Sequence, residues 1–246
     1  MFKRALAVVG AIGFWFVLVC VLWVITLRIF PPPVTWVMVE QSNELGGIQR
    51  EWTSLDHMSH DMPLAVIASE DQRFLHHHGF SWKAIKKAMA YNERKKGKKV
   101  KGASTISQQT AKNVFCWPGR TFIRKGLEAW FTILIETLWS KERIVEVYLN
   151  VAETGKGRFG AQATAKSCFK HEASRLSPSE CALIAAVLPL PRKFNACTPS
   201  GYMRKRQGDI QRQMRLIGDV FDPAVMERTR ERIEKEEEAE ERRGKR

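Results

Sequence analysis

A chain of 246 residues with 44% hydrophobic content is long enough for one domain of ordinary size, with appendages and a real core. Its 40 Lys and Arg against 26 Asp and Glu give a formal net charge of +14, which requires an acidic partner and makes nucleic acid the first class to weigh. The order of the segments argues against that class. A domain placed behind a membrane-crossing run meets anionic lipid head groups or a diphosphate substrate instead of nucleic acid.

That run is Ala5 to Leu27, uncharged and apolar, and a helix of this length crosses a hydrocarbon core of about 30 Å. A cleaved signal peptide has an apolar region of only about 7–15 residues ending at a small-x-small site. Here the run is longer, and Ile25-Thr26-Leu27-Arg28 offers no such site, so it reads as a retained anchor. Lys3 and Arg4 precede it, and only Arg28 is basic after it until Arg50. This bias puts residues 1–4 in the cytoplasm and the bulk of the chain outside. Pro31-Pro32-Pro33 stops the helix. Val34 to Met62 shows no long period and predicts a short strand or extended arm, so residues 28–50 are expected to form an extended linker to a domain at 51–220.

From Pro63 onward the periods are helical, with Leu64, Ile67 and Ala68 on one face and Ile85, Ala88 and Met89 on another after Trp82. The chain reads as mostly α. Glu70 and Asp71 directly follow the apolar run Leu64 to Ala68 and precede Phe74 and three histidines. A carboxylate at the rim of an apolar segment suits general acid or base work, although the bland account of such a pair is a solvated helix start. Asn92 to Gly102 is basic and Gly-punctuated, either a solvated linker or a mobile gate beside a phosphate-bearing substrate.

Gly102 to Asn113, GASTISQQTAKN, concentrates hydroxyls, amides and a lysine. Ser104 or Thr105 can cap a helix, after which Gln108, Gln109, Lys112 and Asn113 recur at spacings of three and four as a polar stripe. Such a stripe suits sugar hydroxyls or phosphate oxygens. Leu127, Trp130, Phe131, Leu134, Ile135 and Leu138 trace the clearest apolar stripe. Arg124, Lys125 and Glu128 beside it are either an ion pair in the first turns or a cation-flanked carboxylate lining a cleft.

Ser140 caps the next predicted helix, through Tyr148 to Asn150. Gly155, Gly157 and Gly160 follow no strand pattern and read as a turn into a helix at Ala161 to Phe169, not as a nucleotide loop. Ser177-Pro178-Ser179-Glu180 is a capping box with proline at the first helical position, and Pro189 and Pro191 close the apolar helix that follows. One more amphipathic helix is expected after Tyr202, then a charged tail at 221–246 without catalytic content. Cys20 lies in the anchor, and Cys116, Cys168, Cys181 and Cys197 lack CxxC spacing. They suggest no metal site, and an oxidising compartment permits a disulfide among them without requiring one.

Four segments in order, EDQRFLHHHG, GASTISQQTAKN, RKGLE with SKERIVEVYLN, and LSPSECALIAAVLPLP, resemble the peptidoglycan glycosyltransferases. The chain is most similar to the monofunctional biosynthetic transglycosylases of Gram-negative bacteria, since a single anchor precedes the domain and no penicillin-binding transpeptidase domain follows. The resemblance spans about Glu51 to Met214. It implies a mostly α, lysozyme-like domain of two lobes that polymerises lipid II into glycan strands. By position, Glu70 corresponds to the base that deprotonates the acceptor's 4-hydroxyl, and Glu128 to the donor-side glutamate that assists the departing diphosphate. Asp71, Phe74, His77 and Gly79 complete the first motif. Ser104, Thr105, Gln109, Lys112 and Asn113 match the donor-binding motif, and Arg124 and Lys125 the basic pair facing diphosphate. Cys168 departs from the family, which commonly has tyrosine there, and is expected to affect packing.

The resemblance implies no tightly bound cofactor and admits a divalent cation, Mg or Mn, acting through the substrate's diphosphate. Consecutive histidines project in different directions, which disfavours a metal site at His76, His77 and His78. Expected partners are lipid II, the growing strand and membrane lipids, with penicillin-binding proteins and division proteins as protein partners, at the inner membrane with the domain in the periplasm. Two competing readings are a lytic transglycosylase of the same fold and a membrane-anchored scaffold. The second motif and Arg124-Lys125, suited to diphosphate, argue against the first, and the presence of both Glu70 and Glu128 argues against the second.

Overall fold

The computed structural model describes residues 2–95, 102–218, 221–222, 224–225, 227–232, 235 and 242. Most of the basic segment expected as a gate, and most of the charged tail, lie outside the described residues. In chain order the elements are α1 (Phe2–Ile29), α2 (Trp36–Leu45), β1 (Gln49–Arg50), α3 (Asp61–Glu70), α4 (Trp82–Arg94), α5 (Ile106–Phe115), α6 (Phe122–Leu138), α7 (Lys141–Val151), β2 (Glu153–Gly155), β3 (Arg158–Phe159), α8 (Ala161–Thr164), α9 (Pro178–Val187) and α10 (Gly201–Ile217). The fold is mostly α, as expected.

α1 is long and apolar enough to cross a membrane, and most of its shaft is exposed. Its C-terminal half packs on α6. Beyond the prolines the extended arm is not found: residues 36–45 are helical. The Thr35 hydroxyl accepts from the Met38 N–H, and Gly46 ends the helix in the left-handed region at φ 71°. Only Met38 and Gln41 of this helix are buried, and two inward positions are too few to leave a readable period.

α3, α9 and α10 pack on one another, while α5 packs on α6 and α7. α9 is buried on every side from Cys181 to Val187, as its uniformly apolar sequence requires. Its capping box forms as expected, Ser177 Oγ accepting from the Glu180 N–H and Glu180 from the Ser177 N–H. α4 buries only Ala88, and Met89, expected on its inner face, is exposed.

α7 ties distant segments together through side chains that a helix face alone would not need. Glu146 Oε2 accepts from the Leu55 N–H at 2.9 Å, and the Asn150 amide exchanges two hydrogen bonds with the Thr53 backbone at 2.9 and 2.8 Å. The glycine-rich stretch after α7 forms a hairpin, where the sequence suggested only a turn. β3 pairs antiparallel with β2 and parallel with β1, and strands of two or three residues are too short to show alternation. Gly160, at φ 87°, sits so close to the Leu149 and Asn150 carbonyls that a Cβ would lie 3.1–3.2 Å from them. α8 runs on into a wide helical turn at Ala165–Phe169, and a disulfide joins Cys168 to Cys197 before α10. The residue that departs from the family pattern is thus a cross-link.

Candidate active site

One cleft of about 1140 Å³ runs between the α3–α10 side and α5, α6 and the end of α7. Glu70, Asp71, Ser104, Thr105, Gln109, Lys112, Asn113, Arg124, Lys125 and Glu128 all line it. Phe74, His77 and Gly79 do not. They stand behind the wall as supports, a correction to their expected place among the substrate-binding residues.

The supporting layer explains how the wall is set. Asp71, at the end of α3, accepts on Oδ2 from the Ile106 N–H at 3.1 Å and from His77 Nε2 at 2.9 Å. The first of these satisfies an orphan donor at the start of α5 and places a negative charge at the positive end of its dipole. His77 Nδ1 accepts from the Gly79 N–H at 3.1 Å, which leaves Nε2 as the donor to Asp71. Phe74 is fully buried under the Lys141 ammonium, 4.5 Å from its ring centroid. Lys141 also donates to the His77 carbonyl at 2.6 Å and to Glu136 at 2.8 Å. Burial lowers the Lys141 pKa, and Glu136 opposes the shift. Gly79 adopts φ 86°, and a Cβ there would lie 2.7 Å from Thr132 Cγ2, so only glycine fits.

Thr105 caps α5 in a capping box with Gln108 and donates its own hydroxyl to the Gly79 carbonyl at 2.6 Å. Gln108 gives its carbonyl oxygen to the cap while still lining the cleft beside Gln109, Lys112 and Asn113. Gln109 Nε2 donates to Glu70 Oε2 at 3.3 Å, and Tyr148 donates to Gln109 Oε1 at 3.1 Å. Burial, with the charges of Glu70 and Asp71 adding to it, raises the Tyr148 pKa well above the usual phenol value, so this hydroxyl stays a donor. Glu70 Oε1 accepts from Ser69 at 3.2 Å.

Glu128 is held differently. It is 3% exposed, with Oε2 accepting from Arg124 Nη1 at 2.8 Å and Oε1 from Lys125 Nζ. Both expected accounts of this trio hold at once, since the ion pair is also the cation-flanked carboxylate of the cleft. Lys112 opens onto the solvent of the cleft. The protein around its ammonium lowers its pKa by desolvation; Glu128 opposes the shift, and Arg124 and Lys125 add to it. Arg124 Nε is a buried donor without a partner, an orphan that an anion in the cleft would satisfy.

Several lining residues escaped the sequence reading, Tyr148, Arg206 and Glu153 among them. Arg206 of α10 donates to Ser69 Oγ at 3.1 Å and stands 3.7 Å from Glu70 Oε1, with its Nε buried and unpartnered. Glu153 lies at another rim, where burial raises its pKa. Arg206 was one of many basic residues on a charged helix, and only its position on the inward face marks it. Among the described residues no group of three or more His, Cys, Asp or Glu is placed to hold a metal. Glu128 offers a poor metal ligand, since each of its oxygens is already matched to a cation.

One acid held by an amide and a hydroxyl and another clamped among cations, in a single cleft, suit an enzyme that transfers a glycosyl group. The transglycosylase family model matches residues 39–215, and the chain belongs to that family. A protein of Xanthomonas campestris pv. campestris (strain B100) named biosynthetic peptidoglycan transglycosylase is 49% identical over 223 residues, 88% of this chain and 90% of its own length. Proteins of the same name from Pseudomonas putida (strain W619) and Pseudomonas aeruginosa PAO1 are 53% and 51% identical, each over 83% of this chain and over 89% and 90% of their own lengths.

Proposed function

We propose that this chain polymerises lipid II into β-1,4-linked glycan strands, with inversion at the donor's anomeric carbon and release of undecaprenyl diphosphate. The observation that carries this reading is the division of the cleft. Glu70 is hydrogen-bonded by an amide and a hydroxyl, with the single cation Arg206 standing off at 3.7 Å, whereas Lys112, Arg124 and Lys125 gather around Glu128. In an in-line displacement, Glu70 takes the proton of the acceptor's 4-hydroxyl as that oxygen attacks. The cations around Glu128 meet the charge growing on the diphosphate. Glu128 itself keeps Arg124 and Lys125 in place, and because a diphosphate leaves readily, no acid need protonate it. The cation set does this work without a protein-bound metal; a Mg or Mn ion would be carried by the diphosphate.

α1 supports a single-pass anchor, and the charge bias supports an inner-membrane setting with the domain in the periplasm. Tethering raises the enzyme's effective concentration where lipid-borne substrates lie. The strand it makes must then be cross-linked by a transpeptidase, so penicillin-binding proteins and the division machinery are its proposed protein partners.

The test is incubation of detergent-solubilised protein with labelled lipid II beside Glu70→Gln, followed by muramidase digestion. Polymer that needs Glu70 and is cut by the muramidase is the expected result. Release of fragments from preformed peptidoglycan, with no polymer, would replace this reading with a lytic one.

A further inference from the structure

The outer end of α1 is fastened to the domain. Val24 is completely buried, and Cys20 and Leu27 are each 5% exposed. Trp23 meets Phe115 and Phe131 edge-on at 5.1 and 5.8 Å. Polar contacts hold the same stretch: Trp139 Nε1 donates to the Val24 carbonyl at 2.8 Å. Arg143 Nη2 donates to the carbonyls of Leu27 and Phe30, both at 2.8 Å, and its Nε donates to Leu27 at 3.3 Å. These carbonyls lie at the end of a helix, where C=O groups lack partners within the helix and the dipole favours a cation. Close to a bilayer, leaving them unpaired is costly. Arg50 serves the exit in the same way, donating to the carbonyls of Pro32 and Pro33.

Arg143 is itself fixed on the domain side. Its Nη1 donates to Glu146, which holds the Leu55 N–H, and its guanidinium lies 5.4 Å from the Trp52 ring centroid. Five residues further along α7, Tyr148 orients Gln109 on Glu70. One rigid helix therefore touches both the membrane anchor and the cleft.

We propose that Arg143 is a positioning residue for the reaction: by locking α1 to α7 it makes the anchor a rigid strut that holds the cleft at one height and tilt over the bilayer. The inference rests on the reading that the substrate is carried by lipid. A substrate whose tail is fixed in the membrane presents its diphosphate at a set depth. A hinge at the proline exit would spread the cleft over many orientations, few of them within reacting distance. Such a loss of orientation lowers the rate without changing any group in the cleft. A substrate free in solution would not feel it.

The test uses the full-length protein in liposomes, as wild type, Arg143→Ala, Arg143→Lys and Trp139→Phe. Initial rates are compared on undecaprenyl lipid II in the bilayer and on a water-soluble short-chain analogue in detergent. Arg143→Ala is expected to lose about tenfold in the bilayer and less than about twofold in solution, since misplacement alone can cost that much. Arg143→Lys should recover part of the loss. Trp139→Phe, which deletes one hydrogen bond and trims the buried indole to a phenyl ring, should shift the same way by less. Nitroxide labels at Ile12→Cys and Lys156→Cys give a second readout, a narrow distance distribution in the wild type that broadens in Arg143→Ala. Equal losses on both substrates, no loss in the bilayer, or an unchanged distribution would each overturn the strut. A wild type that polymerises neither substrate would instead refute the proposed function, and the label distances would still decide the strut.

Discussion

Glu70 and Gln109 lie 39 residues apart in the chain and meet at 3.3 Å, the Gln109 amide donating to Glu70 Oε2. Nothing local brings them together. Asp71, the next residue after Glu70, accepts the Ile106 N–H and so pins the start of α5 beside the end of α3. Gln109 follows one turn later on the face toward the cleft. Tyr148 then fixes which end of the amide faces the acid, because its hydroxyl donates to Oε1 and leaves the NH₂ for Glu70. The general base proposed for Glu70 needs this kind of hold, which orients the carboxylate.

Tyr148→Phe should therefore lower kcat while leaving KM nearly unchanged. Without the hydroxyl the Gln109 amide is free to turn its oxygen toward Glu70, which costs the base its donor. The expected loss is about tenfold, corresponding to one hydrogen bond of about 1–1.5 kcal/mol felt in the transition state. Steady-state rates on lipid II check it, and a rise in KM with kcat intact would show that Tyr148 serves binding instead.

Arg206 faces Glu70 Oε1 at 3.7 Å and Ser69 Oγ at 3.1 Å, with its Nε buried and unsatisfied. Its planar fork can serve Ser69 and a substrate oxygen in one fixed geometry, which the compact ammonium of a lysine does not reproduce. Arg206→Ala should reduce kcat/KM by about 10–100-fold, and Arg206→Lys should restore only a minor part, as expected for loss of charge-assisted hydrogen bonds worth about 1.5–3 kcal/mol. Full rescue by lysine would show that charge alone is used.

Lys112 is expected to set the alkaline limit of the reaction. Desolvation lowers its pKa, so its ammonium loses its proton at a lower pH than an open lysine, although the solvent of the cleft restrains the shift. In the proposed reaction the charged form stabilises the leaving diphosphate, so kcat/KM should fall as pH rises through this lowered value. Lys112→Arg keeps its charge across that range and should move the alkaline limb upward even if the maximal rate drops. A limb that stays in place in the variant would assign it to another group.

Much of the cleft was legible because its residues sit in contiguous motifs whose chemistry is unusual for packing. A helix start carrying Thr105, Gln109, Lys112 and Asn113, and a carboxylate flanked by Arg124 and Lys125, stand out from a pattern that merely buries apolar surface. The division of labour inside a motif was not legible. Glu70 faces the cleft while Phe74, His77 and Gly79 support it from behind, and a string of letters does not distinguish wall from buttress. Helix α2 was missed for a different reason: its start depends on one threonine cap and its inner face on two residues, too little periodicity to read. Arg206 was hidden by its neighbours, since on a helix rich in arginine only tertiary structure says which one turns inward.

The Cys168–Cys197 disulfide closes a loop with a sequence separation of 29 that contains α9 and the cleft residues Leu188, Pro189 and Pro191. Restricting the unfolded chain over a loop of that size stabilises the folded state by about 3–4 kcal/mol in the chain-entropy account. Replacing both cysteines by serine avoids leaving a lone reactive thiol, and this double variant should unfold at a clearly lower temperature. Dithiothreitol should lower the wild-type midpoint toward the same value and leave the variant unmoved. Activity near 25 °C should largely survive, because the segment is also held by Leu183, Val187, Ala196 and Met203 and by the stacking of Phe194 on Tyr202 at 5.5 Å. A wild-type midpoint indifferent to reductant would show that the two sulfurs are not joined in the working enzyme, and Cys168 would then matter only through its packing.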